Sequence, residues 1–401
     1  MKYVVILGDG MADYRQSFLD NKTPLMVANK PFIDSLAKMG EIGLCQTVPC
    51  GFKPGSDVAN LSVLGYDPKE CYTGRSPLEA ASIGIDVKDT DITLRANLVC
   101  LSNEKDFADK TMVDYSAGEI STEEAKELIE FLKQSFDNDK YTLYSGISYR
   151  HCLVIDKGEM AGDLTPPHDI TGKKIKEYLP KSEQGKKLLD LMIKSNELLI
   201  SHPINQKRIS QGKNPANSLW FWGEGTKPKL QDFEQKFGLK GGIISAVDLL
   251  KGVGKLANMK VIEVEGATGN YDTNFSGKAD ACVSALLSGL DFVYLHMEAP
   301  DECGHHGDTK NKIYSIEQID KVVKRIYNGL TDAREDFAFL ILPDHPTPLS
   351  IMTHCSDPVP YLLYSSKNHF DGAPCYDEEQ AKNSANFVSV GHNLIKKLFA
   401  I

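Results

Sequence analysis

The feature that most constrains this chain is a repeated pairing of a short apolar run with a metal-type side chain just beyond it. Tyr3–Leu7 runs into Gly8-Asp9-Gly10, Phe292–His296 is soon followed by Asp301 and His305, and Phe337–Leu342 leads through one proline to Asp344-His345. Further strand candidates are Lys260–Val264 and Tyr361–Tyr364, with His354 shortly before the latter. Amphipathic stretches separate the runs, a pattern that predicts an α/β fold with a parallel sheet. In such a sheet the carboxyl ends of the strands line one edge, so residues 300 apart in sequence can converge there.

Helices are predicted over Ser121–Phe136, opened by Ser121-x-x-Glu124, and over Ser315–Leu330, opened by Ser315-x-x-Gln318 with Ile316, Ile319, Val322, Val323 and Ile326 on one face. Lys186–Leu199, Gly277–Leu287 and Phe387–Phe399 also carry helical spacing. With 401 residues the chain is long enough for two domains. Its middle is polar and lysine-rich while both ends carry compact strand–motif–helix units. This predicts a discontinuous domain of residues 1–89 and 241–401 with a second domain, 90–240, inserted into it.

The formal charge of −10 disfavours sequence-independent nucleic-acid binding, and no apolar run approaches membrane-spanning length. The first apolar run ends after four residues, unlike a signal peptide, which predicts a cytoplasmic protein. Nine scattered cysteines without Cys-x-x-Cys read as reduced core residues.

Asp9, Asp301, Asp344, His305, His345 and His354 form an oxygen–nitrogen donor set suited to Mn²⁺, Mg²⁺ or Zn²⁺. Six ligands serve two ions at three apiece, with Ser56, in Pro54-Gly55-Ser56-Asp57, as a bridging ligand and nucleophile. Two ions about 3.5–4 Å apart clamp an in-line displacement at phosphorus. Taken singly, each of these residues is more ordinary: an Asp after a strand or a Ser after Pro-Gly is commonly a cap. The joint pattern carries the reading, since four of ten histidines fall within 305–354.

The chain resembles the cofactor-independent phosphoglycerate mutases in their short form, within the alkaline phosphatase superfamily. The likeness rests on Gly8-Asp9-Gly10-Met11-Ala12-Asp13, on Pro54 through Asp67, on Tyr72 through Ala80, on Asp114-Tyr115-Ser116-Ala117-Gly118, on Ser148-Tyr149-Arg150-His151, on Pro215-Ala216-Asn217 with Trp220-Phe221-Trp222-Gly223, on Gly266-Ala267-Thr268-Gly269, and on Ala299 through His305. It implies a three-layer α/β/α domain with a smaller α/β insert. It also implies Asp9, Ser56, Asp344 and His345 in one metal pocket and Asp301, His305 and His354 in the other, with Ser56 transiently phosphorylated. Two departures stand out. Gly-Ser-Asp-Val-Ala-Asn replaces the long form's Asn-Ser-Glu-Val-Gly-His, and Ser76 occupies a position where a second glycine is usual.

The activity implied is exchange of 3-phosphoglycerate and 2-phosphoglycerate in glycolysis and gluconeogenesis without bisphosphoglycerate, the inserted domain retaining glycerate and excluding water. Only seven arginines stand among 45 basic residues. Arg75, Arg95, Arg150 and Arg208 are therefore candidates for binding the substrate carboxylate, with Asp114 and His151 as lesser ones. Trp220 and Trp222 read as core or hinge packing. The expected partner is a small phosphorylated substrate, and the expected state is a monomer or weak oligomer. Competing readings are a homoserine kinase on the same scaffold, a metal-dependent phosphomonoesterase, and a non-catalytic binding protein. Gly252-Val253-Gly254-Lys255-Leu256 lacks the form of a nucleotide-binding P-loop.

Overall fold

The computed structural model describes all residues, Met1–Ile401. The chain forms two compact units, one of Met1–Tyr72 with Lys229–Ile401 and one of Thr73–Pro228. From the amino terminus, β1 (Lys2–Gly8) and β2 (Glu41–Cys45) lie in the first unit. The second unit holds β3 (Ile92–Leu101), β4 (Met112–Asp114), β5 (Tyr141–Ile147), β6 (Arg150–Ile155) and β7 (Ser218–Thr226). The first unit resumes with β8 (Gly241–Ile244), β9 (Lys260–Val261), β10 (Phe292–Met297), β11 (Phe337–Leu342), β12 (Val359–Ser365) and β13 (Phe387–Val388).

The first unit is built on one sheet in the order β13-β2-β12-β11-β1-β10-β8-β9. β1 is its centre and pairs in parallel with β10 and β11, Val4 lying opposite Val293 and Phe339. Sandwiched strands must be apolar on both faces, which is why these runs do not alternate. Val4 and Ile6 pack with Ile33 and Leu36 of helix Pro31–Ala37, Ala279 and Cys282 of helix Phe275–Leu287, and Ile319 and Val323 of helix Thr309–Asp332. On the opposite face Tyr3 meets Phe399 edge-on at 5.2 Å, Phe292 stacks on Phe233 at 4.8 Å, and Tyr294 reaches Asn60 of helix Ser56–Val63. The result is a three-layer α/β/α unit.

The second unit is an antiparallel sheet in the order β4-β3-β6-β5, with β7 also paired to β3. Helices Thr122–Phe136 and Glu183–Leu199 bury Leu128, Ile129, Leu132, Leu188 and Met192 with Leu94, Leu98 and Trp220 of the sheet. Ser121 accepts from Glu124 N at 3.3 Å as the sequence predicts, but the Glu124 carboxylate pairs with Arg208 Nη1 at 2.5 Å, so only half of the capping box forms.

Several expectations require correction. The unit boundaries fall at 72/73 and 228/229, not 89/90 and 240/241. Residues 73–89 fold with the second unit, because Ala80, Ile85 and Val87 pack against Cys152 and Val154 of β6. Residues 229–240 fold with the first through Phe233. The helix expected from Ser315 begins at Thr309, where Asp308 caps Asn311 N at 3.0 Å; Ser315 is interior and its hydroxyl donates to Asn311 O. The helix expected over Phe387–Phe399 begins only at Leu394, since Phe387 and Val388 pair with Leu44 and Cys45 and sheet pairing outweighs helical periodicity. The strand over Lys260–Val264 shortens to Lys260–Val261. All nine cysteines are free; six are buried, Cys355 and Cys375 are half-buried, and Cys50 is exposed. No helix is long and apolar enough to cross a membrane.

Candidate functional site

Strand direction decides where the metal-type residues meet. Asp9 follows β1, Asp344-His345 follow β11, and Asp301 and His305 lie four residues apart on the helix Ala299–His305 that follows β10. β12 is antiparallel to β11, so its start lies at the edge where β11 ends, and His354 precedes that start. Ser56 opens helix Ser56–Val63, reached from the end of β2. Five loops thus meet at one sheet edge.

Ligand-type atoms of Asp9, Asp344 and His345 lie within 4.8 Å of one another, and so do those of Asp301, His305 and His354. His345 Nε2 stands 3.4 Å from Asp344 Oδ2, 3.7 Å from Asp9 Oδ1 and 3.2 Å from Ser56 Oγ. His305 Nε2 lies 3.3 Å from Asp301 Oδ2 and 2.8 Å from His354 Nε2, which lies 3.4 Å from Asp301 Oδ1. The groups adjoin, with the His345 and His354 rings 4.0 Å apart.

Burial, then the charges of Asp344 and Asp301, push the Asp9 carboxyl well above the usual carboxylate range. Burial also pushes Asp301 up, but hydrogen bonds from His305 and His354 outweigh it and hold that carboxyl well below its usual range. The bond to Asp301 raises His305 to about 9, whereas burial lowers His345. Asp9 Oδ1 is buried without a hydrogen-bond partner. Three buried carboxylates, three imidazoles and one orphaned carboxylate oxygen suit bound divalent cations.

Residues that sequence reading did not single out hold this set in place. Asn60 Nδ2 donates to Ser56 O and to Asp344 Oδ2, both at 2.8 Å, and Tyr294 OH donates to Asn60 Oδ1 at 2.5 Å. His296 Nε2 lies 2.8 Å from Asp9 Oδ2, and its Nδ1 lies 3.2 Å from Ser245 Oγ. Because the carboxylate accepts, Nε2 carries the hydrogen and Ser245 donates to Nδ1; burial lowers His296 to about 4, keeping it neutral. Thr47 donates to Asp344 O. The signal available beforehand was position, since Thr47, Ser245 and His296 all sit at carboxyl ends of strands.

The substrate-binding candidates separate into two sets. Within the second unit, Arg75 Nε and Arg95 Nε flank Glu79 at 2.9 and 2.8 Å. The Arg95 guanidinium also lies 4.2 Å over the Trp222 ring, whose Nε1 donates to Asn97 Oδ1. Burial raises Glu79, but Arg95, Arg75 and Arg150 outweigh it and hold the carboxyl below its usual value. Arg150 lies 5.1 Å over the Tyr149 ring. Trp222 is thus a platform for Arg95, more than core packing.

The remaining three candidates are tied into the scaffold. Arg208 is buried and bonds Glu124, Asn214 O and Ala117 O. Asp114 receives Ser116 N, Ser116 Oγ, Gly118 N and Asn214 Nδ2, closing a turn. His151 is buried, accepts from Gly146 N at 3.1 Å, and is lowered to about 3 by burial.

Comparison with known proteins gives a consistent answer. Residues 37–205 match a family model described as 2,3-bisphosphoglycerate-independent phosphoglycerate mutase. The chain is 49% identical over 388 residues to the Methanosarcina barkeri protein of that name, covering 96% of each chain. A solved Pyrococcus horikoshii protein superposes with a TM-score of 0.84 at 30% identity, over 100% of this chain and 96% of that one. The cofactor-independent phosphoglycerate mutase from Thermoplasma acidophilum gives 0.66 at 27% identity, over 100% and 99%. With half of its residues shared along nearly its whole length, the chain belongs to the 2,3-bisphosphoglycerate-independent phosphoglycerate mutase family.

Proposed function

We propose that this chain interconverts 3-phosphoglycerate and 2-phosphoglycerate through a phosphoserine at Ser56, without bisphosphoglycerate. The observation that carries the reading is Ser56 Oγ at 3.2 Å from His345 Nε2, beside two carboxylate–imidazole groups, in a family of named mutases. Asp9, Asp344 and His345, with Ser56, hold one divalent cation in this reading, and Asp301, His305 and His354 the other; Mn²⁺, Mg²⁺ and Zn²⁺ all accept such donors. Bound there, the cations lower the pKa of the serine hydroxyl and offset charge on the phosphoryl oxygens.

Ser56 Oγ forms a bond to phosphorus as the bond from phosphorus to the substrate's 3-oxygen breaks, leaving phosphoserine and glycerate. The serine proton leaves as that bond forms, and the departing oxygen takes up a proton. The 2-hydroxyl, losing its proton, then attacks the same phosphorus as the bond from phosphorus to Ser56 Oγ breaks; Ser56 Oγ takes up a proton, and 2-phosphoglycerate is formed. Ser56 opens a helix, so first-turn N–H groups and the helix dipole favour the phosphoryl charge. Asn60 fixes the carbonyl of Ser56 and the Asp344 carboxylate together, which sets the serine relative to the first ligand group. In the second unit Arg75, Arg95 and Arg150 supply the planar donors that suit the substrate carboxylate.

The test uses Ser56→Ala with 3-phosphoglycerate, Mn²⁺ and no bisphosphoglycerate, beside homoserine with ATP and Mg²⁺. Mutase turnover in the wild type, lost by about 10³-fold or more in the variant with its Mn²⁺ content retained, is the expected result. Retained turnover in Ser56→Ala rejects the nucleophile, and phosphorylation of homoserine without mutase turnover rejects the reaction.

A further inference from the structure

Thr347 lies between the two ligand groups and is fully buried. Its Oγ1 donates to Asp301 Oδ1 and lies 3.3 Å from His345 Nδ1. A hydroxyl has one hydrogen, and the Asp301 carboxylate, which can only accept, takes it. His345 Nδ1 is therefore left as the donor, its N–H pointing to Thr347 Oγ1. In a neutral imidazole this leaves Nε2 without a hydrogen, its lone pair toward Ser56, Asp9 and Asp344.

The surroundings hold Thr347 where this relay requires it. Pro346 and Pro348 flank it. Its N–H donates to Ala12 O at 3.3 Å, and its carbonyl accepts from Lys312 Nζ at 2.7 Å. Lys312 is itself paired with Asp13 at 2.7 Å, both side chains fully buried. Gly10, at φ +62°, closes over the relay: a Cβ there would stand 2.5 Å from Thr347 Oγ1 and 2.6 Å from Asp301 Oδ1. At Gly304 a Cβ would stand 2.5 Å from Thr347 O. Two glycines and a buried ion pair thus converge on one threonine that the proposed reaction does not use.

We propose that Thr347 is a positioning residue that sets the His345 tautomer from Asp301, so that one ligand group prepares the other to receive its cation. This rests on the two-cation reading above. Partners of this kind commonly change metal affinity by about 10–100-fold when removed.

The experiment compares wild type, Thr347→Val and Thr347→Ser as full-length apo protein. Nitrogen-15 spectra of histidine-labelled protein read the tautomer, the His345 signal being identified by its loss in His345→Gln. Titration with Mn²⁺ reads affinity. Wild type and Thr347→Ser should show His345 solely as the Nδ1–H form. Thr347→Val, equal in shape but without the hydroxyl, should show both forms and bind Mn²⁺ about 10–100-fold more weakly, with Thr347→Ser restored to wild-type affinity. An Nε2–H imidazole in the wild type overturns the proposal without any variant, and so does wild-type affinity in Thr347→Val. Absence of Mn²⁺ binding by the wild type instead defeats the two-cation reading, a result separable from the tautomer spectrum.

Discussion

Apo protein should take up Mn²⁺ more tightly as pH rises, and the structure says by how much. His305 Nδ1 donates to Met352 O at 3.1 Å, while its Nε2 faces Asp301 Oδ2 at 3.3 Å and His354 Nε2 at 2.8 Å. Nδ1 thus points at a carbonyl and Nε2 at the Asp301 carboxylate, the arrangement of an imidazolium, and Asp301 raises this ring to about 9. Below that pH, Nε2 holds a proton that a cation must displace. A group raised to about 9 gives nearly tenfold in affinity per pH unit at neutral pH, or about 30-fold between pH 6.5 and 8. The side chain is 33% exposed, so solvent screening reduces the gain to about 10–30-fold. His345 is neutral from burial and adds none. Calorimetric titration with Mn²⁺ in two buffers of different protonation enthalpy measures the protons released. About one proton is expected for the cation bound at Asp301, His305 and His354 near pH 7. Affinity that stays flat from pH 6.5 to 8, with no protons released, would refute this account of His305.

Other consequences can be measured separately. EDTA should abolish mutase turnover and Mn²⁺ should restore it; full activity in the chelator counts against the cations. Lys312→Met leaves Asp13 buried without its counter-charge and should destabilise the unit formed by 1–72 and 229–401 by about 3–5 kcal/mol, read in urea unfolding; a change under about 1 kcal/mol shows that the pair is dispensable. Glu79→Gln removes the charge that Arg75 and Arg95 share, each such bond contributing about 1.5–3 kcal/mol. The KM for 3-phosphoglycerate should rise by about tenfold or more with kcat less affected; an unchanged KM removes the arginine group from substrate binding.

What could be read from the sequence was the part governed by strand position. Asp9, Asp301, Asp344 and His345 follow apolar runs too continuous for anything but sandwiched strands, so the edge they share followed from the sheet rule alone. His354 was legible only as a histidine before a strand, and the antiparallel pairing of β12 with β11 is what brings it to that edge. Local hydrogen-bonding signals were weaker guides. Ser315-x-x-Gln318 has the form of a cap, yet Asp308, just past Gly307 at φ +65°, is where the chain turns. Arg208 and Arg75 look alike as sparse arginines, but one meets a turn carbonyl and a helix-capping region and the other a carboxylate shared with Arg95. That difference lies in tertiary partners, which spacing does not encode.

The same logic explains why the supporting residues escaped notice while the ligand-type residues did not. A carboxylate or imidazole beyond a strand is conspicuous because burying it unpaired is costly. Thr47, Asn60, Ser245 and Thr347 carry no charge and are common anywhere. Their role is defined by acceptors supplied from other strands: Asp344 O for Thr47, Asp344 Oδ2 for Asn60, Asp301 Oδ1 for Thr347. Each bond joins loops far apart in sequence, so each becomes meaningful only once the sheet has placed its partner. The sheet edge gathers buried carboxylates, and neutral hydroxyls and amides then fix the direction in which they point. That orientation, rather than the presence of the charges alone, is what a cation entering between Asp9, Asp344 and His345 would meet.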